Sequence, residues 1–136
     1  MTVQGGCVCG AIRYELQGEP IVHAACHCRA CQYIGGGAPS LVAIYPSEAL
    51  TIKQGTPKTY FSKADSGAIV GRSFCETCGT PLFAGPRDDS PMIAVKPGSL
   101  DDSSRFKVQI DIWRSVAQPW HRPHPDAMQF ERNPSR

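Results

Sequence analysis

The sequence has little net charge, no long apolar run and no sustained helical periodicity. Its 14 Lys and Arg nearly cancel 12 Asp and Glu, leaving +2 at pH 7. So small an imbalance does not support strong non-specific binding to nucleic acid or to a membrane surface. The longest apolar run, around Leu41–Tyr45, is a strand's length and far below the roughly 18 residues that span a bilayer. The N-terminal stretch, MTVQGGCVCGAIRYEL, lacks a basic segment followed by an apolar one, so it does not read as a secretory leader. The expectation is a cytoplasmic protein. In that reducing compartment clustered cysteines serve more often as metal ligands or catalytic thiols than as disulfides.

No window of ten or more residues keeps a clean 3.6-residue apolar repeat, and 13 Gly and 12 Pro would break most helices. Alternation favours strands instead. Ile12, Tyr14 and Leu16 interleave with Arg13 and Glu15, as Val108, Ile110 and Ile112 do with Lys107, Gln109 and Asp111. Pro39–Pro46, Leu50–Lys53, Lys58–Phe61, Ala68–Phe74 and Met92–Val95 are further short β-compatible runs. Turn signals separate them at Gln54-Gly55, Ser66-Gly67 and Pro97-Gly98. The fold class read from this is mainly β, with few or no long helices. A length of 136 residues suits one domain, residues 1–136, with no solenoid-type repeat. After Trp113 the chain is rich in proline (Pro119, Pro123, Pro125, Pro134) and can be neither a central strand nor a continuous helix. This 113–136 segment is expected to pack on the domain through Trp120 and Phe130, because leaving two large rings in water is unfavourable.

What the chain does have is seven cysteines, an odd number that cannot all pair internally, and they are clustered. Cys7-Val8-Cys9-Gly10 and Cys75-Glu76-Thr77-Cys78-Gly79 are turns that point two thiolates to one side. The glycine supplies the positive φ that aims backbone N–H groups at sulfur. Together they offer four thiolates, the donor set of a closed structural zinc site. The competing reading, a redox-active Cys75–Cys78 pair, lacks the βαβ context of such motifs. The remaining three cysteines, Cys26, Cys28 and Cys31, are one ligand short of a closed site. Three protein ligands and an open position are the pattern of a catalytic zinc. His23 is the nearest residue that could close the site, while His27 lies between two ligands and is expected to point away. His121 and His124 read as surface or packing residues. A metal-free Cys28–Cys31 pair cycling between dithiol and disulfide is the alternative for this cluster.

With Tyr14, Gln32, Phe74, the Thr80-Pro81-Leu82 and Pro97-Gly98-Ser99-Leu100-Asp101 stretches, Ile112-Trp113, Pro119-Trp120 and Gln129-Phe130, these motifs resemble the glutathione-dependent formaldehyde-activating enzymes, a family that includes a centromere-associated relative. The resemblance covers nearly the whole chain. It implies an Mss4-like β fold, a structural zinc on Cys7, Cys9, Cys75 and Cys78, and a second, catalytic-type zinc on Cys26, Cys28 and Cys31. It also implies carbon–sulfur lyase or synthase activity, in which glutathione or a similar thiol and an aldehyde form an S-hydroxymethyl adduct. Partners are then a small thiol or its aldehyde adduct, with no nucleic acid or membrane, on a monomer or homodimer. Gly35, Gly36 and Gly37 would let a peptide-like ligand approach the backbone, though a glycine run is as often a plain turn. Arg29 would offset negative charge or meet a glutathione carboxylate, though it also reads as a solvated surface arginine.

No Ser–His–Asp arrangement, phosphate-binding Gly-Lys motif or carboxylate pair near the cysteines offers another chemistry. The rival classes are a non-catalytic zinc-binding interaction module on the same fold, and a thiol redox protein using Cys28 and Cys31. The four-thiolate site would close a long loop across a modest core, and zinc binding of that kind contributes directly to folding. Cys75→Ser is therefore expected to give insoluble or proteolysed protein, and a soluble variant with an unchanged melting temperature would refute this.

Overall fold

Tyr14 and Leu16 are almost completely buried while Arg13 and Glu15 between them are only half-buried, so the alternation in the sequence sets one face of a strand against the core. In the computed structural model, which describes residues 1–86 and 90–134, this is β2 (Arg13–Gln17). It pairs with β1 (Thr2–Gly6) and β5 (Leu50–Gln54) in a three-stranded antiparallel sheet ordered β1-β2-β5. The remaining strands are β3 (Val22–Cys26), β4 (Ser40–Pro46), β6 (Lys58–Lys63), β7 (Ile69–Phe74), β8 (Pro81–Pro86), β9 (Met92–Val95), β10 (Ile110–Ile112) and β11 (Met128–Gln129). They form an eight-stranded sheet ordered β11-β10-β3-β4-β9-β8-β7-β6. The one α-helix among the described residues, α1 (Arg29–Ile34), is six residues long.

The two sheets meet in a core built on Ile12, Tyr14, Leu16, Tyr45, Leu82, Phe83 and Val95. Tyr14 and Phe83 join them edge to face, with ring centroids 4.9 Å apart. The Tyr14 hydroxyl lies 2.6 Å from Ser99 Oγ, so a polar tip carried into the core is satisfied. Cys7 and Cys75 belong to this same cluster. A smaller one gathers Cys28, Cys31 and Trp113, with Cys26 and Ile112 against it.

The eight-stranded sheet places residues far apart in sequence side by side. β3 runs antiparallel to β4 and parallel to β10, so Cys26, at its end, lies between Ser40 and Ile112. The chain then turns through Trp113, which takes a left-handed conformation (φ 59°) that is costly for a bulky side chain. Main-chain bonds from Trp113 to the Arg132 carbonyl (3.0 Å) and from Arg114 to that of Phe130 (3.0 Å) hold it there, as does the indole N–H on Asn133 Oδ1 (2.8 Å). The proline-rich segment returns as β11 alongside β10.

Trp120 does not anchor this segment by burying its ring, although its indole N–H bonds the Gly37 carbonyl. It is 65% exposed, and Phe130 is only half-buried. Polar groups replace the rings as anchors, chiefly buried His121 and the bonds that His124 and Gln129 make to Asp111. No described helix is long and apolar enough to cross a membrane.

Gly5, in β1, has no room for a side chain. A Cβ there would strike the Tyr14 hydroxyl and lie 2.5 Å from the Ser99 carbonyl oxygen. Gly5→Ala is expected to destabilise the chain by about 1–3 kcal/mol, read as a lowered denaturation midpoint; an unchanged midpoint would contradict the packing described here.

Candidate metal centre and ligand cavity

The seven cysteines divide into four and three. Cys7 and Cys9 sit on the turn between β1 and β2, and Cys75 and Cys78 on the turn between β7 and β8. In each turn the glycine N–H closes back on a cysteine carbonyl, Gly10 on Cys7 at 3.0 Å and Gly79 on Cys75 at 2.7 Å. Both glycines have positive φ (83° and 78°) although a Cβ would meet open space, so backbone conformation and not crowding requires glycine. The four sulfurs lie within 4.8 Å of one another. Cys7 and Cys9 are 3.5 Å apart, and Cys9 and Cys75 are 3.8 Å apart. A tetrahedral zinc with bonds near 2.3 Å puts its sulfurs about 3.8 Å apart, so the donor set fits. Neighbouring donors hold the sulfurs in place. The Ile12 N–H points at Cys7 Sγ (3.2 Å), and Thr80 Oγ1 accepts from the Val8 N–H (3.2 Å) while lying 3.2 Å from Cys78 Sγ. Thr80's side-chain and backbone hydrogen bonds hold the Cys78 thiol down to about 5.

Cys26 ends β3, Cys28 caps the N-terminus of α1 and Cys31 lies in the helix's first turn. Cys28 Sγ accepts the Cys31 N–H at 3.4 Å. Their sulfurs also fall within 4.8 Å of one another, and no fourth metal-binding side chain joins them among the described residues. His23 is engaged elsewhere, stacked on Phe106 with centroids 4.6 Å apart and accepting the Lys107 N–H. The three sulfurs line a cavity of about 220 Å³. Val42, Ile44, Val70, Ala94 and Trp113 make its apolar walls, exposed Asp65 is also part of its lining, and Arg72 and Lys96 are its cations. Hydrogen bonds from Cys26 and Cys28 pull the Cys31 thiol down to about 3 against the effect of burial, and the charges of Lys96 and Arg72 add to this. The same contacts push Cys26 up. Burial lowers the Lys96 ammonium, an effect the thiolates oppose.

A third constellation lies behind the cluster. Asp111 is fully buried. Its Oδ1 accepts from His27 Nε2 and His124 Nδ1, both at 2.8 Å, and its Oδ2 from the His124 N–H (2.8 Å) and Gln129 Nε2 (2.7 Å). Burial alone would raise this carboxyl, but its hydrogen bonds outweigh it and hold it well below the usual carboxylate range. His27 therefore turns away from the cysteines on either side of it. Its Nδ1 lies 3.0 Å from Nδ1 of His121, whose Nε2 donates to the Gly37 carbonyl at 2.7 Å. Burial pushes the His27 imidazole below its usual value, against the opposing pull of the Asp111 carboxylate. Sequence reasoning placed His121 and His124 on the surface or in packing roles. A histidine between two candidate ligands, and an acid alternating with Ile110 and Ile112, were the signals for this network.

The model of the glutathione-dependent formaldehyde-activating enzyme family matches residues 2–116. The chain belongs to that family. A protein of Rhodobacter sphaeroides with a known crystal structure shares the fold, at a TM-score of 0.57 and 21% identity, over 72% of this chain and 87% of that one.

Two features that the family resemblance offered as glutathione contacts are not among the residues lining the cavity, although the Arg29 N–H bonds Asp65, which is (3.3 Å). Gly35, Gly36 and Gly37 end α1, with the Gly35 N–H on the Cys31 carbonyl (2.8 Å) and the Gly37 carbonyl accepting from Trp120 Nε1 (3.1 Å) and His121. Arg29 bonds Gln32 and lies over the Tyr33 ring, 5.2 Å from its centroid. In this family member the cations that do line the cavity are Arg72 and Lys96, two residues that sequence reasoning passed over.

Breaking a buried charged network from one side costs about 3–5 kcal/mol, and Asp111→Asn should lower stability at pH 7 by that order. The Asp111 carboxyl is depressed on folding, so its contribution is present above the ordinary carboxylate pKa and is lost as pH falls through the folded value. Denaturant titrations should show the gap between wild type and Asp111→Asn closing as pH falls below about 4; a gap that is constant with pH would contradict the assignment.

Proposed function

We propose that this chain is a zinc-dependent carbon–sulfur lyase or synthase that handles adducts between glutathione, or a similar thiol, and formaldehyde. The observation that carries this reading is the cluster Cys26, Cys28 and Cys31, which lines a cavity and has no fourth protein ligand among the described residues. Cys7, Cys9, Cys75 and Cys78 would hold a structural zinc beside the main core, and the three-cysteine cluster would hold a second. A zinc at the second site would favour a bound thiol as its thiolate.

In the synthetic direction the thiolate sulfur bonds to the aldehyde carbon, the C=O π pair moves to oxygen, and the oxygen takes a proton. Lyase action is the reverse. Val42, Ile44, Val70 and Trp113 keep water from the sulfur and strengthen charge interactions there. Lys96 and Arg72 offset the negative charge of the thiolates. Gln32 bonds the carbonyls of His27 (2.9 Å) and Val116 (3.1 Å), so it and the His27–Asp111 bond fix the turn that carries Cys26 and Cys28. The ligand is a small molecule, with no nucleic acid or membrane required. The chain acts in the cytoplasm as a single domain, monomeric or dimeric.

Reduced protein is expected to contain two zinc ions per chain, to gain thermal stability with glutathione, and to accelerate S-hydroxymethylglutathione exchange measured by NMR. One zinc per chain with a Cys28–Cys31 disulfide and no response to glutathione would contradict the proposal and favour a redox role. Two zinc ions with neither effect would favour a non-catalytic binding module.

A further inference from the structure

The two cations of the cavity are bonded differently. Lys96 donates to Ser40, and its charge acts on Cys31, Cys26 and Cys28. Exposed Asp65, the acidic residue of the lining, accepts the Arg29 N–H at 3.3 Å. Arg72, on β7, bonds a neutral side chain. Its Nη1 donates to Ser62 Oγ at 3.1 Å, it lines the cavity, and it has no acidic partner among the described residues. A guanidinium fork matches a carboxylate in a way that a thiolate does not. Val42, Ile44, Val70 and Ala94 give the cavity an aliphatic lining, suited to the methylenes of a short spacer.

We infer that Arg72 sets the specificity of this cavity, selecting thiols that carry a carboxylate a few bonds from sulfur and holding that carboxylate in its fork. This rests on the reading that Cys26, Cys28 and Cys31 present a metal to a thiol. It adds that the group recognising such a carboxylate is a strand residue of β7, not the helix residue Arg29.

Isothermal titration of the zinc-loaded chain with 3-mercaptopropionate, 2-mercaptoethanol and cysteamine tests it. The expected result is binding of 3-mercaptopropionate about tenfold or more tighter than the neutral and cationic thiols, the scale of one charge-assisted pair. Arg72→Gln, with zinc content unchanged, should weaken 3-mercaptopropionate by that factor and leave 2-mercaptoethanol unaltered. Arg72→Lys, which keeps charge but lacks the fork, should fall between. Equal affinities for the three thiols on the native chain would overturn the inference while leaving thiol binding standing. A Gln variant that weakens all three equally would overturn it too, leaving Arg72 a general counter-charge. Binding of none of the three would overturn the thiol reading and this inference with it.

Discussion

A single carboxylate, that of Asp111, holds the functional half of the molecule together. Buried without partners it would be unfavourable by several kcal/mol, and it is tolerated because four hydrogen bonds from three residues converge on it. One donor, His27, lies inside the cysteine cluster. The other two, His124 and Gln129, belong to the proline-rich return of the chain. The carboxylate thus ties β10, the turn between β3 and α1, and the last strand into one unit. The place of Cys26 and Cys28 is fixed as much by residues 111–129 as by the backbone around the cysteines. The left-handed Trp113, which closes one cavity wall, depends on the same return, since residues 130–133 supply its hydrogen-bond partners.

The two cysteine clusters stand in different relation to the core. Cys7 and Cys75 are continuous with the packing around Tyr14 and Leu82, so ordering a metal there orders the sheets as well. Cys28 and Cys31 pack instead in a small satellite with Trp113, one side of which opens to a cavity. On the proposed reading this division would let the first cluster be closed and structural. The second opens to the cavity that Lys96 and Arg72 also line.

Much of this could be read from the sequence because it depends on local spacing. The Cys-x-Cys-Gly and Cys-x-x-Cys-Gly turns carry their geometry within four or five residues, and the alternation in β2 declares its buried face. β3 was harder to see. Ala24 and Ala25 are buried between β4 and β10, and small residues flanked by strands on both sides show no period-two contrast. The histidine–aspartate network was hidden for another reason. His27 is 84 residues from Asp111 and 94 from His121, and nothing local distinguishes His121 from a surface histidine. Trp120 misled because apolar area was taken as the anchor where hydrogen bonds do that work. Arg72 shares a strand face with Val70, and Lys96 follows Ala94 at the same period. A charge continuing an apolar face is the clue that points to both.

The central claim is that the three-cysteine cluster holds a metal whose fourth position is left for a ligand thiol. X-ray absorption at the zinc edge, on fully loaded reduced protein before and after addition of a thiol, tests it directly. The account predicts fewer than four sulfurs per zinc on average before addition, with a lighter atom completing the shell, and four on average afterwards. A value of four sulfurs without added thiol, or a spectrum that does not respond to it, would contradict it.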